Sequence, residues 1–160
     1  MTDLIKSEKN KSILRLLDNL KSEFNVNSQD IISILIHAEK NFVPLEIFAD
    51  RSLSVQQALV KFMKENLDMS NKEISDSLNK DPRSTWSAYE QSKSRMKIRF
   101  EIPHSIMPLP ISIFKEKSSL LESIVLFLKN QSWQNHKIAS TLNRSETTIS
   151  TVYRRSENGK

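Results

Sequence analysis

Short polar and cationic side chains recur on one face of a predicted helix near the end of the chain. In the stretch "RSETTISTVYRR" at 144 to 155, Ile149 and Val152 mark the inward side of that helix. Hydroxyl and guanidinium groups on its outward side can hydrogen-bond base edges in the major groove of DNA, and the flanking Arg144 and Arg155 suit phosphates. The pattern therefore predicts a helix that reads nucleic acid. Its outward positions are Thr147, Ser150, Thr151 and Arg154.

A related set of side chains follows "DP" in the first half of the chain. Glu90 stands there in the place that Arg154 holds in the later stretch, and phosphates repel a carboxylate. We therefore expect the earlier helix to make the weaker contact. Its candidate contact residues are Arg83, Ser84, Trp86 and Ser87.

The connector "SRMKIRFEIP" alternates strictly between polar and apolar residues, which is a strand pattern with one basic edge. Its cations Arg95, Lys97 and Arg99 are placed to contact phosphates between two docked units. Two interpretations stay open: a linker held to the cores by its apolar side, or a strand that pairs with the same segment of a second chain.

Four aromatic residues fall within the predicted helices or beside them. They could stack on bases, but tryptophan and tyrosine at helical spacing are more often partly buried, and we assign them to the core. These residues are Trp86, Tyr89, Trp133 and Tyr153.

The chain contains an internal repeat. "LVKFMKE" at 59 to 65 returns as "IVLFLKN" at 124 to 130, "PLEIF" at 44 to 48 as "PISIF" at 110 to 114, and "NKEISDSLNK" as "NHKIASTLNR". Between 71–93 and 135–157, six of 23 positions are identical without a gap. A repeat of shared apolar positions at helical spacing predicts two copies of one small helical unit.

Local signals place three helices in each unit. In the first, an apolar stripe predicts a helix over roughly 52 to 66, Ser70 and Glu73 predict a capping box, and Asp81 with Pro82 predicts the start of a third helix. In the second unit, Ser145 takes the place of Asp81 as the predicted start of the third helix. Gln134 and Lys137 stand in the places of Ser70 and Glu73, so we expect a weaker cap there.

These residues carry a family resemblance. "SNKEISDSLN" with "DPRSTWSAY", and "HKIASTLNRSETTISTVYRR", resemble the helix-turn-helix of the promoter-binding C-terminal domain of sigma factors and of LuxR-type response regulators. The resemblance covers residues from Val43 to the end and implies two tandem helix-turn-helix units that bind DNA. It implies a small residue early in the first motif helix and apolar residues that lock the second, which Ala139 and Ile149 satisfy. Thr85 departs from the pattern, which leaves open whether Trp86 and Tyr89 supply that packing.

Several classes of function are excluded by composition. The only glycine is Gly159, so no glycine-rich phosphate loop exists, and the chain has no cysteine. The three histidines lack ligand spacing, and the carboxylates scatter among lysines. We expect no enzyme activity, no metal, no cofactor and no small-molecule substrate.

The net charge of +5 is concentrated in the second half of the chain. Residues 94–160 hold 11 basic and 5 acidic residues, net +6, whereas residues 1–42 are neutral and 43–93 carry −1. Such asymmetry favours a polyanionic partner.

Residues 1–42 predict a helical hairpin. Ile13 and Leu17 lie on one face of its first helix, and Ile31 and Leu35 on one face of its second. The hairpin either packs on the first unit or forms a homodimer. No apolar run reaches the ~20 residues of a membrane helix, and the N-terminus lacks the apolar core of a secretion signal. We therefore expect a cytoplasmic, nucleoid-associated protein without a membrane partner.

The sequence thus predicts an all-α chain divided into a hairpin (1–42), a first helix-turn-helix unit (43–93), an extended basic linker (94–110) and a second unit (111–160). The predicted function is sequence-specific binding of double-stranded DNA by a transcriptional regulator. Two alternatives are a protein-interaction adaptor on the same fold and an architectural nucleoid protein that binds DNA without sequence preference.

Overall fold

The chain is mostly helical and contains one small two-stranded sheet. The computed structural model describes residues 11–12, 14–19, 21–23, 27, 30–31, 41–102, 105–116 and 118–158. The all-α prediction is confirmed at this level. The sheet is an addition that the sequence did not predict.

The same succession of elements occurs twice, as the internal repeat predicted. The first repeat, residues 42–95, consists of β1 (Phe42–Pro44), a 3-10 helix (Leu45–Phe48), α1 (Val55–Glu65), α2 (Asn71–Leu78) and α3 (Pro82–Arg95). The second repeat, residues 108–158, consists of β2 (Pro108–Pro110), a 3-10 helix (Ile111–Lys115), α4 (Leu120–Asn130), α5 (Asn135–Thr141) and α6 (Glu146–Asn158).

Side-chain caps fix where most of these helices begin. The predicted capping box at the start of α2 is confirmed, since Ser70 accepts from the Glu73 N–H and Glu73 accepts from the Ser70 N–H. The Asp81 carboxylate accepts the N–H groups of Arg83 and Ser84 at the start of α3. Gln134 makes no side-chain cap hydrogen bond, so α5 begins with the weaker cap that its sequence predicted. These caps satisfy backbone donors that a helix start otherwise leaves unpaired.

The turns between helices also repeat. Asn79 and Asn143 follow α2 and α5 with φ of 49° and 51°, and Asp68 and Ser132 precede them in their repeats with φ of 52° and 62°. Asparagine and aspartate tolerate this left-handed region better than other residues with a Cβ. The two repeats therefore turn at equivalent places, and residues other than glycine adopt the left-handed conformation there.

The buried side chains of both repeats form one continuous core. Leu59, Phe62 and Met63 of α1 are almost wholly inaccessible, as are Ile124 and Leu128 of α4. In addition, the ring centroids of Phe48 and Phe114 lie 6.1 Å apart. The repeats are therefore packed against each other.

One charged residue lies inside this core. Lys61 of α1 is 0% exposed, and its Nζ lies 2.7 Å from a carboxylate oxygen of Glu65 on the next turn of the helix. The second repeat has Leu126 and Asn130 at these two places. The ion pair is thus a feature of the first repeat alone.

The sheet joins the two repeats. β1 and β2 run antiparallel, and their partners are Phe42 with Pro110, Val43 with Leu109, and Pro44 with Pro108. Both central residues are fully buried. The first strand of each repeat therefore contributes to the contact between them.

The connector does not form a strand where its alternation suggested one. Residues 96–102 have no regular secondary structure, and Ile98 is 74% exposed. Phe100 packs its ring against Phe62, with 6.3 Å between centroids, and its carbonyl accepts from the Asn66 side chain. The range 94–110 also includes the last two residues of α3 and the whole of β2. The connector is fixed along the first repeat through this aromatic contact.

The predicted N-terminal hairpin lies largely outside the described residues. Residues 11–12, 14–19 and 21–23 are helical, as are residues 30–31. Ile31 is buried, while Leu14 and Leu16 are 59% and 62% exposed. Ile13 and Leu35 are outside the described part, so packing and dimerisation both stay predictions.

In the part of the chain that the structure describes, no helix combines the length and the apolar character that crossing a membrane requires.

Candidate nucleic-acid interface

The helix α6 presents a polar outer face. Ile149 is fully buried on its inner side and Val152 is half-buried beside it. Thr147, Ser150 and Arg154 are exposed, as is Arg155, whereas Thr151 is half-buried. The structure therefore brings the predicted outward residues together on one helix, with Thr151 set back at the edge of the face.

A chain of hydrogen bonds fixes Ser150 relative to α5. Lys129 Nζ donates to Asn135 Oδ1 at 3.2 Å, and Asn135 Nδ2 donates to Ser150 Oγ at 3.0 Å. The Ser150 hydroxyl keeps its own proton and can still donate to an acceptor outside the protein. Neither Lys129 nor Asn135 was a predicted site residue. Asparagine occupies both equivalent positions of the repeat, 71 and 135, and this was the one sequence signal that pointed to Asn135.

Two arginines meet at the turn that precedes α6. Arg51 Nη1 donates to the carbonyl of Asn143 at 3.1 Å. Arg144 is half-buried, and its Nε is buried with no hydrogen-bond acceptor among the described residues. Burial, and secondarily the charge of Arg51, lower the pKa of Arg144. No carboxylate of the described residues forms an ion pair with either arginine. An anion placed here would therefore gain from both guanidinium groups.

The outer residues of α3 belong to a different polar network. Arg83, Ser84 and Ser87 are exposed. The Ser84 hydroxyl accepts from the Gln56 amide at 3.0 Å, and the Ser87 hydroxyl accepts from the Gln91 amide at 3.0 Å. The two serines are thus tied to α1 and to the next turn of α3, and Arg83 is the free-standing cation of the predicted set.

The assignment of Trp86 to the core is wrong. Its side chain is 49% exposed, because the inward position of α3 belongs to its neighbour Thr85, which is 2% exposed. The Thr85 hydroxyl lies 2.9 Å from the hydroxyl of Ser75 on α2, where the second repeat has Ile149 and Ala139. A buried pair of hydroxyls replaces an apolar contact, so Trp86 is not needed for packing. The assignment is confirmed for Trp133, which is 8% exposed, and Tyr89 and Tyr153 are half-buried.

The carboxylate on the outer face of α3 is paired with a lysine of the same helix. Glu90 pairs with Lys93 at 2.8 Å, and Lys93 Nζ also lies 4.9 Å from the ring centroid of Tyr89. The hydrogen bond that the Lys93 ammonium donates to Glu90 raises the pKa of Lys93. At the place of Glu90, α6 carries the exposed Arg154. The two outer faces therefore differ in electrostatic character.

The three connector cations are not equivalent. Arg95 Nη1 donates to the Ser52 carbonyl at 3.2 Å, and Arg99 Nη2 donates to the Asn66 carbonyl at 3.3 Å. Lys97 is exposed. The two arginines therefore help to hold the connector against the first repeat, while their remaining N–H groups can bind phosphate.

Within the described ranges, no group of three or more histidine, cysteine or acidic side chains is arranged to hold a metal ion. Comparison of the chain with protein-family models, with curated proteins and with solved structures finds no match.

Proposed function

We propose that this protein binds double-stranded DNA in a sequence-specific manner and acts as a transcriptional regulator. In this proposal α2 with α3, and α5 with α6, are two helix-turn-helix units, and α3 and α6 are their recognition helices. The regulator would be located at the nucleoid.

One observation carries the proposal. The outer face of α6 holds the exposed Thr147, Ser150 and Arg154 on a helix whose opposite side is anchored by the fully buried Ile149. A recognition helix needs this combination, because its inner side must be rigid while its outer side enters a groove. The sequence resemblance to sigma factors and LuxR-type regulators supports the same function.

The side chains have separate roles in this proposal. Arg154 is placed to donate two hydrogen bonds to a guanine, and the hydroxyls of Ser150 and Thr151 contact neighbouring base edges. Arg155 binds a phosphate, as do Arg144 in the turn before α6 and Arg51, which reaches that turn from the first repeat. The phosphate contacts set the register of the helix, and the base contacts determine the sequence that it prefers.

A selection from a random duplex library tests the proposal. We expect the full chain to enrich one sequence motif and the variant Arg154→Ala to lose part of that motif. The exposed Lys115 lies outside α6, and Lys115→Ala removes the same charge, so this matched control should keep the motif. A chain that binds every duplex equally would instead be an architectural protein, and one that binds none would exclude DNA as its partner.

A second function is favoured by Trp86. Its half-exposed indole lies 6.4 Å from the ring of Tyr89, on the helix whose Glu90 carboxylate is paired with Lys93. Exposed tryptophan is typical of the centre of protein interfaces. The first repeat would then act as an adaptor for another protein. Trp86→Ala should leave the enriched DNA motif unchanged if α3 binds protein, and should change it if α3 reads DNA.

A further inference from the structure

The two repeats contact each other through their own equivalent residues. Alignment of "PLEIF" with "PISIF" makes Val43 equivalent to Leu109, and these two residues lie opposite each other in the sheet. In the same alignment Phe48 is equivalent to Phe114, and their rings are in contact. A surface that meets its own copy in this way is the mark of a twofold axis.

Hydrogen bonds beside the sheet obey the same relation. The Leu45 N–H donates to the Met107 carbonyl at 3.1 Å, and the Ile111 N–H donates to the Asn41 carbonyl at 2.7 Å. Leu45 is equivalent to Ile111, and Asn41 to Met107, so exchange of the repeats converts one bond into the other. An approximate twofold axis therefore passes through the sheet between Val43 and Leu109.

The axis extends to the helices because each repeat has the same internal arrangement. α1 contacts the first 3-10 helix and α3, and α4 contacts the second 3-10 helix and α6. α1 and α4 also contact each other. The turns that set the direction of the third helices, at Asn79 and Asn143, have nearly equal φ. α2 also contacts the second 3-10 helix, and α5 has no equally extensive contact with the first, so the symmetry between the repeats is approximate. Because α3 and α6 are each held by the same contacts within their own repeat, the approximate axis relates them as well.

From this geometry, and resting on the proposed function, we infer that the protein recognises an inverted repeat in DNA. The tandem order of the sequence would by itself suggest a direct repeat. Two recognition helices in one rigid molecule can bind one duplex together only if their half-sites are related by the same symmetry as the helices. A twofold axis therefore requires half-sites that run in opposite directions.

The two half-sites are unequal in sequence. Each outward position of α3 differs from its counterpart on α6: tryptophan replaces serine at Trp86 and Ser150, and a carboxylate replaces a guanidinium at Glu90 and Arg154. Side chains of different donor pattern prefer different bases. The full site is therefore an imperfect inverted repeat with one dominant half.

Binding to designed duplexes tests this inference. The half-site that Arg154→Ala weakens is first identified by selection. The half-site that α3 prefers is identified in the same way with Trp86→Ala. The two half-sites are then joined as inverted repeats in both orientations and as direct repeats, with spacers scanned over about one helical turn of DNA. Perfect inverted and direct repeats of the first half-site are made for the grafted variant described below. Duplexes with one half-site and with a scrambled sequence are included, and binding of the full chain is measured by fluorescence anisotropy.

We expect the best inverted repeat to bind about tenfold or more tightly than the best direct repeat, because only there can both repeats bind at once. Equal or tighter binding to a direct repeat would overturn the inference and leave the proposed function standing. No preference for the half-site over the scrambled duplex would overturn both.

A grafted variant provides a second measurement. It places the outward residues of α6 on α3 by Arg83→Thr, Trp86→Ser, Ser87→Thr and Glu90→Arg. The perfect inverted repeat should then bind about tenfold or more tightly than it binds the unmodified protein, since both helices now read the same half-site. A larger gain on the direct repeat would contradict the twofold arrangement. The helical circular dichroism confirms that the variant is folded, and the unmodified protein decides the question if it is not.

Discussion

Arg154 and Glu90 occupy equivalent positions on α6 and α3 but carry opposite charges. Arg154 is exposed on the outer face of its helix, whereas Glu90 is paired with Lys93. We predict that Arg154→Ala weakens binding to the selected DNA site by about 1–3 kcal/mol, the contribution of a good base contact. Arg83→Ala should weaken it by less, because we expect α3 to make the weaker contact.

Titration of both variants on the selected site and on scrambled duplex checks this order. Neither side chain is in the core, so the unfolding midpoint should be unchanged in both. If Arg83→Ala abolishes the sequence preference while Arg154→Ala leaves it intact, the second repeat is not the dominant reader.

The buried ion pair between Lys61 and Glu65 gives a prediction about stability. Glu65→Gln leaves the Lys61 ammonium inside the core without its counter-charge, which costs about 3–5 kcal/mol in buried pairs. Glu65 keeps some solvent contact, with 20% of its side chain exposed, so we expect the lower end of that range. Urea unfolding followed by tryptophan fluorescence measures the loss.

The second repeat supplies the matched control for this pair. The double variant Lys61→Leu with Glu65→Asn copies Leu126 and Asn130 into the first repeat and removes both charges together. Replacing both members of a buried pair is often neutral or stabilising. A double variant as unstable as Glu65→Gln would mean that the pair itself, rather than the uncompensated charge, determines the effect.

Single residues were predictable from sequence where helical spacing alone determines their exposure. Spacing placed Thr147, Ser150 and Arg154 on one outer face, and the structure agrees. Trp86 was assigned wrongly because its large apolar surface suggested burial, while the small Thr85 fills the inward position with a hydrogen bond to Ser75. The place of Arg51 in the candidate site could not be predicted, because its partner Asn143 is 92 residues away in the sequence.

At the level of elements, α5 is the helix with a deficient start. Gln134 is the N-cap residue of α5, and its side chain makes no cap hydrogen bond. Ser70, the N-cap residue of α2, accepts a backbone N–H with its side chain. We predict that Gln134→Ser raises the free energy of unfolding by about 0.5–2 kcal/mol, because the serine oxygen accepts a backbone N–H of the first turn. Lys137 is kept, since its Nζ lies 3.9 Å from the ring centroid of Trp133.

Two matched variants accompany this measurement by thermal and urea unfolding. Gln134→Ala should give no gain, and Ser70→Ala should lower the stability of the first repeat by about 1 kcal/mol. If Gln134→Ser and Gln134→Ala have the same stability, the cap is not what limits α5.

Elements were predictable from sequence in proportion to how local their signals are. The caps at Ser70 and Asp81 are set by residues within three positions of each other, so both starts were predicted. β1 and β2 have three residues each and contain prolines, which give no alternation to detect, and their pairing joins residues that are 66 apart, Val43 and Leu109. The connector alternates as a strand does, yet residues 96–102 pair with no strand in the part of the chain that the structure describes.

At the scale of the whole molecule, the core is common to both repeats, whereas the positive charge is concentrated in the second half of the chain. The core is shared by both repeats, and the sheet at its centre relates them by an approximate twofold axis. The positive charge is not shared, because residues 94–160 hold 11 basic and 5 acidic residues, net +6, and residues 43–93 carry −1. An approximately symmetric scaffold therefore carries an asymmetric charge, and the connector together with the second repeat should supply most of the phosphate contacts.

This asymmetry predicts how DNA binding depends on salt. Each phosphate contact releases counterions and contributes about −0.9 to the slope of log affinity against log salt, so five to eight contacts give about −4 to −7.

Removing one phosphate contact should lower the magnitude of the slope by about 1 and weaken binding equally on selected and scrambled duplexes. We expect this of Arg155→Ala and of Arg51→Ala, whereas Arg154→Ala should mainly change the discrimination between the two duplexes. Anisotropy titrations between low and physiological salt measure all four proteins. An affinity that does not change with salt would exclude the electrostatic interface, and an unchanged slope for Arg51→Ala would separate the Arg51–Arg144 pair from the DNA contact.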